Sequence, residues 1–474
     1  MNRRRFMAAC ALAAGNGWAS DSWRQALDPS EPQAARAWLR RWLAVFNTGD
    51  PVAYRAFVLA HAPDLAPYVD EDLGVLEASG GFDLLRTEVA GPDAVTAFVK
   101  DRAWDRFSKV TLSAEGDAKI SDLTFGGAPA PAGFQVPRLD ERAAVAALAA
   151  KLKRQAGAGL FSGAVLVARS DRTLFRAAHG LADHDRRRAN TPGTRFCIGS
   201  MGKMFTAVAI VQLIQAGRLG LTDTVATHLP DYPNPALARR LTIEQLLTHT
   251  GGTGDIFGPF HDAHAAELVT LADYVRLYGP RAPVFEPGAR WGYSNYGFVL
   301  LGAILERVGG QPYEAWFAER VFRPAGMTAT SQRPDGGGPT ALPYTGTVRS
   351  GLHAPTPYLG LPAGGGYSTV DDLRAFATAL NDHRLLDPRH TALLTTGRVD
   401  ASGGSRWALG FRVQTRNGEP CHGHGGGAPG VNGDLAIYPR SGYVTIALAN
   451  RSHPMAANAS EYAGNRLPTP PTTT

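Results

Sequence analysis

Residues 197–207 read CIGSMGKMFTA, and the lysine at 203 decides how the rest of the chain is read. The sequence holds 48 Lys plus Arg, of which only six are lysines: Lys100, Lys109, Lys119, Lys151, Lys153 and Lys203. From Arg154 onward there are 29 arginines and this single lysine. Arginine keeps its proton in proteins, whereas burial can turn a lysine into a base near neutral pH. Ser200 stands three residues before Lys203, so at a helix start both side chains share one face. A serine nucleophile needs a base within hydrogen-bond reach, and this spacing supplies one. The residues that follow, MFTAVAIVQLI (204–214), are apolar nearly all round, as in a buried central helix.

Two further segments carry chemistry. FEPGARWGYSNYGFVLLGAILERVGG (285–310) places Tyr293 and Asn295 at the start of a long apolar helix ending at Gly309-Gly310. CHGHGGGAPGVNGDLAIYP (421–439) places His424, Gly426 and Gly427 in a strand end whose glycines let a ligand approach the backbone. His422 and His424 fall on one strand face, but no third ligand follows at metal-binding spacing, so no metal is expected. His249, in LLTHTGG, is expected to hydrogen-bond locally in its turn.

Ser-x-x-Lys, Tyr-x-Asn and His-x-Gly in this order resemble the motif set of the serine β-lactamase and penicillin-binding-protein family. The likeness is to the class C-like branch, with its D-alanyl-D-alanine carboxypeptidases, D-aminopeptidases and esterases. LLTHTGG (246–252), ERVFRPAGMTAT (319–330) and LPAGGGYSTVDDLRAFA (361–377) resemble family segments as well, and the likeness runs from about Arg142 to Asn450. It implies an antiparallel five-stranded sheet flanked by helices, with an all-helical subdomain. It also implies site roles. Ser200 is the acylated nucleophile, Lys203 takes its proton, and Tyr293 is a phenolic base whose pKa neighbouring cations lower. Asn295 and His424 contact substrate, and the backbone N–H groups of Ser200 and Gly427, beside Gly426, form the oxyanion hole. No cofactor is implied. Histidine at 424 stands where much of the family has lysine, which weakens carboxylate binding and argues against a dedicated β-lactamase.

The resulting expectation is an exported serine hydrolase acting through acyl-Ser200 on a D-amino-acid peptide or amide, or on a small ester. Peptidoglycan-derived peptides are among the candidate substrates. The alternative is a non-catalytic binder that senses peptidoglycan or a partner. Export is read from MNRRRFMAACALAAGNGWAS (1–20), where Arg3 to Arg5 precede a short apolar run in a twin-arginine-like pattern, giving a periplasmic or secreted protein. No other stretch is long and apolar enough to span a bilayer, so no transmembrane anchor is expected in the mature chain. The net charge of +6 comes from scattered arginines with no aromatic-interleaved stripe, so nucleic acid is not an expected partner. Beyond Cys10, Cys197 and Cys421 each lie three residues before a candidate site residue; a disulfide is one reading, two separate buried thiols the preferred one.

Ahead of this domain, residues 30–126 read as a small α+β cone-like domain. Ala35, Trp38, Leu39, Trp42, Leu43 and Phe46 mark an amphipathic helix ending at NTGD, and alternating strands follow around Gly116-Asp117. This order resembles the NTF2-like cone. The expected linker is 127–138, the hydrolase domain 139–466, and LPTPPTTT (467–474) a disordered tail.

Overall fold

The computed structural model describes residues 33–470, apart from 129, 135, 337, 347–351, 356–358 and 453. The export signal expected over 1–20 lies outside the described residues. Two compact units divide between Leu139 and Asp140.

In the first unit, α1 (Gln33–Phe46) buries Trp38, Leu39, Trp42 and Phe46, the apolar stripe read from the sequence. The NTGD turn ends it. Asp50 then caps α2 (Pro51–His61), its Oδ1 accepting from the Val52 amide at 2.8 Å, with Pro51 at the first helical position. After α3 (Val69–Ser79) comes an antiparallel sheet in the order β1 (Phe82–Gly91), β2 (Ala94–Asp101), β3 (Phe107–Glu115), β4 (Lys119–Gly127). Strand β2 was not anticipated, although Val95, Ala97 and Val99 alternate inward along it. Buried polar groups are partnered: the Tyr54 hydroxyl donates to Asp72 Oδ2 at 2.8 Å and accepts from Trp42 Nε1 at 3.2 Å.

The second unit opens with α4 (Glu141–Gly157), capped by Asp140, whose Oδ1 accepts from the Ala143 amide at 2.8 Å. Strands β5 (Gly163–Arg169) and β6 (Arg172–His179) follow, then the helical middle with α5 (Lys203–Gln215), α6 (Asn295–Gly309) and α7 (Val370–Asn381). The chain returns to the sheet as β7 (Val399–Asp400), β8 (Arg406–Trp407), β9 (Arg412–Arg416), β10 (Glu419–Ala428), β11 (Val431–Tyr438) and β12 (Tyr443–Ala449), and then forms α8 (Met455–Gly464). All neighbours pair antiparallel in the order β7-β8-β9-β10-β11-β12-β5-β6. Residues 443–449 therefore lie beside 163–169, joining the two ends of the unit.

The five-stranded expectation is thus extended to eight strands. One reason is local: β8 and β9 are separate strands because the chain between them turns at Gly410, which takes a φ of 72°. The Trp407 indole N–H donates to the Leu247 carbonyl at 3.2 Å and ties that corner to the helical layer instead. The expected tail also differs: Leu467 is buried and its amide bonds back to Ala463, so the packed chain reaches at least this residue. Helices α5 and α6 are buried along most of their lengths, as their apolar sequences require.

Candidate active site

Ser200 sits in a 3₁₀ turn, Gly199–Gly202, that runs directly into α5. The turn is possible because Gly199 takes a φ of 51°, where a side chain would stand 2.9 Å from the Gly427 nitrogen. Strand β10 thereby brings Gly426 and Gly427 against the serine turn. The segment Pro362–Gly366 closes the other side, the Gly365 amide donating to the Gly199 carbonyl at 3.0 Å.

Lys203 is fully buried. Its Nζ lies 3.2 Å from Ser200 Oγ and 2.6 Å from Asn295 Oδ1, and it also donates to the Ala363 carbonyl. The cation stands 4.8 Å from the centre of the Tyr293 ring. Burial pushes the amine down to about 7, opposed only in part by the carboxyl of Asp255. The carbonyl oxygens of Asn295 and Ala363 can only accept, so a neutral amine spends its two N–H groups on them. Its lone pair then faces Ser200 Oγ. This is the arrangement of a general base for that hydroxyl.

Tyr293 hydrogen-bonds Ser200 and packs its ring 4.3 Å from His249 and 5.9 Å from Trp407. Here the expectation is corrected. Burial drives the phenol above its usual value, whereas a lowered pKa was expected from nearby cations. A single lysine that is itself half-neutral near pH 7 cannot offset that desolvation. Tyr293 is therefore a neutral phenol able to give and receive a proton between oxygen and nitrogen partners.

His424 is buried too, its Nδ1 against the Gly425 carbonyl and its ring 5.3 Å from Trp407. Burial, with the charge of Lys203 adding to it, pushes it down to about 3. It presents a neutral ring, with Nδ1 as donor and Nε2 as acceptor. His249 departs from the local role expected of it: its Nδ1 accepts from the Ser294 amide at 3.1 Å, across 45 residues of sequence. In this way it orders the Tyr293–Asn295 corner. Cys197 and Cys421 are free and buried, with thiols pushed up to about 12 and about 11 by burial. Among the described residues, no three His, Cys, Asp or Glu side chains cluster to hold a metal ion.

One participant escaped the sequence reading. Asp255 Oδ1 accepts from Asn295 Nδ2 at 2.9 Å and from the Ile256 amide at 2.7 Å. An aspartate amid the glycines of GGTGDIFG (251–258) looks like loop sequence, and only its isolation as the one charge in that run could have signalled it.

Residues 145–467 match the Beta-lactamase family. The chain belongs to the beta-lactamase family. The family chain is similar to the putative penicillin-binding protein PbpX of Bacillus subtilis, at 30% identity over 61% of this chain and 70% of that one. Penicillin-binding protein 4* of Bacillus subtilis is 34% identical over 36% of this chain, a match spanning only 38% of that protein. Among solved structures, a penicillin binding protein from Bacillus halodurans superposes with a TM-score of 0.59 at 30% identity, covering 65% of this chain and 96% of that one. A D-stereospecific amidohydrolase from Streptomyces sp. does so with a TM-score of 0.57 at 27% identity, over 67% of this chain and 97% of that one. This is a beta-lactamase-family hydrolase related to penicillin-binding proteins.

The packing behind Lys203 yields a prediction. A methyl on Gly302 of α6 would lie 2.2 Å from Pro362 Cγ, and the next carbonyl, that of Ala363, accepts from Lys203. Gly302→Ala is expected to cost about 1–3 kcal/mol in urea unfolding. Turnover should fall with it, because the segment that holds the lysine is pushed aside.

Proposed function

We propose that this chain is an exported serine hydrolase that forms an acyl-Ser200 intermediate on a D-amino-acid amide or peptide, or on a small ester. The observation that carries the proposal is the fully buried Lys203, its amine pushed down to about 7 and its Nζ 3.2 Å from Ser200 Oγ. Lys203 takes the serine proton as Oγ attacks the substrate carbonyl carbon. The Ser200 and Gly427 amides receive the developing oxyanion. The proton then passes through the Tyr293 phenol to the departing amine or alkoxide, and the C–N or C–O bond breaks. Water enters on the same side, gives its proton back through Tyr293 and Lys203, and releases the acid and free Ser200.

The neutral His424 favours substrates without a free carboxylate at that position, so amides and esters are preferred over penicillins and C-terminal peptides. The likeness to a D-stereospecific amidohydrolase supports the amide reading. No helix among the described residues is long and apolar enough to cross a membrane. For the first unit we propose a structural or docking role on an NTF2-like cone.

The test is hydrolysis of p-nitrophenyl acetate and of D-amino-acid amides by the wild type and by Ser200→Ala. The variant should show no turnover and no acyl adduct by intact mass; full activity would end this reading. A binder without catalysis would show neither turnover nor adduct in the wild type. A pH profile follows from the same geometry. Since the amine of Lys203 is pushed down to about 7, it is protonated below and neutral above that value. Acylation should fall about tenfold per pH unit below the limb and level off above it, read from single-turnover kinetics.

A further inference from the structure

We propose that Asp255 is a positioning residue that sets which end of the Asn295 amide faces Lys203, and so aims the lysine lone pair at Ser200. The inference deepens the acyl-serine reading above and rests on it. Asn295 has one amide with two unlike ends, and the two flips are nearly equal in shape. In one, Oδ1 accepts from Lys203; in the other, an NH₂ group would confront the amine and compete with its donors. The carboxyl oxygen of Asp255 can only accept, and it holds Asn295 Nδ2 at 2.9 Å. That contact leaves Oδ1 for Lys203 Nζ, at 2.6 Å. Asp255 Oδ1 also accepts from the Ile256 amide at 2.7 Å, which orients the carboxyl toward Asn295 although the residue is exposed.

The same carboxyl is the acidic group whose charge reaches Lys203, where it favours the protonated amine. The other titratable neighbours of Lys203 come from three separate elements. Tyr293 precedes α6, His249 follows the 243–247 helix, and His424 lies on β10. His424 is pushed down to about 3, His249 is held well below its usual value, and Tyr293 is raised. None of the three changes charge near pH 7, so a limb there reports Lys203 as Asp255 tunes it.

Two substitutions separate the two roles. Asp255→Asn keeps an accepting oxygen for Asn295 and removes the charge; Asp255→Ala removes both. With ¹³Cε-lysine labelling, the six lysines give a spectrum sparse enough to follow the Lys203 resonance directly. Asp255→Asn should move the Lys203 midpoint, and the acid limb of acylation with it, to lower pH. Its rate on the alkaline plateau should stay within about threefold of wild type. Asp255→Ala should lower the plateau by about 10–10² through kcat, with KM little changed. Thermal unfolding checks that each variant is folded. If the alanine variant does not fold, Asp255→Leu, which keeps the volume at this exposed position and removes the accepting oxygen, decides by the same fall in plateau rate. An unmoved plateau in the variant that lacks the accepting oxygen, whatever the Lys203 midpoint does and in an enzyme that Ser200→Ala silences, would overturn the positioning role of Asp255 alone. A wild type that keeps its activity as Ser200→Ala would overturn this inference together with the acyl-serine reading.

Discussion

Lys203→Arg is expected to lower ester turnover by about 10²–10⁴, even though the positive charge is kept. The loss follows from what the site asks of this residue. In the proposed acyl-serine mechanism Ser200 gives up its proton to a partner 3.2 Å away, and only a group that spends part of its time neutral can take it. Burial brings the lysine amine to about 7; a guanidinium in the same place stays protonated. Lys203→Met is the companion variant: it removes the base and the charge together and leaves the Asn295 and Ala363 oxygens without their donor. If charge alone mattered, arginine would rescue what methionine loses. The expectation is that both fall to a similar residual level, measured as single-turnover acylation at pH 8. An arginine variant with more than about a tenth of wild-type activity would remove Lys203 from the base role.

The largest expected effect on stability lies on another part of the sheet. Arg416 at the end of β9 places one nitrogen, Nη2, against both carboxylate oxygens of Asp434 of β11, at 3.1 and 3.0 Å, and donates from Nη1 to Ser460 of α8 at 3.1 Å. Both partners are buried. Arg416→Met leaves the Asp434 charge without this partner in a dry setting and should cost about 3–5 kcal/mol in denaturant unfolding. Asp434→Leu added to it should recover much of that loss, because an apolar pair of similar volume is often as stable as the ion pair it replaces. A single variant as stable as wild type would show that water or a rearranged side chain takes over the charge.

Much of the site could be read from the sequence because the chemistry fixes residue types at fixed spacing. Ser200 and Lys203 share a helix start, and Tyr293 and Asn295 begin another. The structure brings these four together around one amine. What escaped has no such signature. The Ala363 carbonyl is a backbone group that any residue could present. Asp255 acts through Asn295, at a distance in sequence that no local motif spans. The ionisation of Tyr293 was misjudged because its direction depends on how tightly His249, Trp407 and their neighbours enclose the ring. Enclosure is a property of packing, which a motif does not encode.

The fold follows the same division. The alternation of β3 and β4 and the apolar runs of α5 and α6 announced themselves. The break at Gly410 did not, since it depends on Trp407 reaching the Leu247 carbonyl from a distant part of the chain. Short edge strands such as β7 carry too few residues for a pattern to show.

The pairing of β5 with β12 has a consequence for how this chain is made. β5 ends at Arg169, and its partner does not begin until Tyr443. During synthesis the ribosome therefore releases β5, β6 and the whole helical middle while one side of β5 still has no neighbour. An apolar strand edge left open for most of translation invites pairing with another nascent chain. Contacts this distant in sequence also form slowly. A cell making this protein in quantity should lose it chiefly to aggregation of incomplete chains. Termination between the end of β5 at Arg169 and the start of its partner at Tyr443 would leave that edge open for good and should yield insoluble fragments.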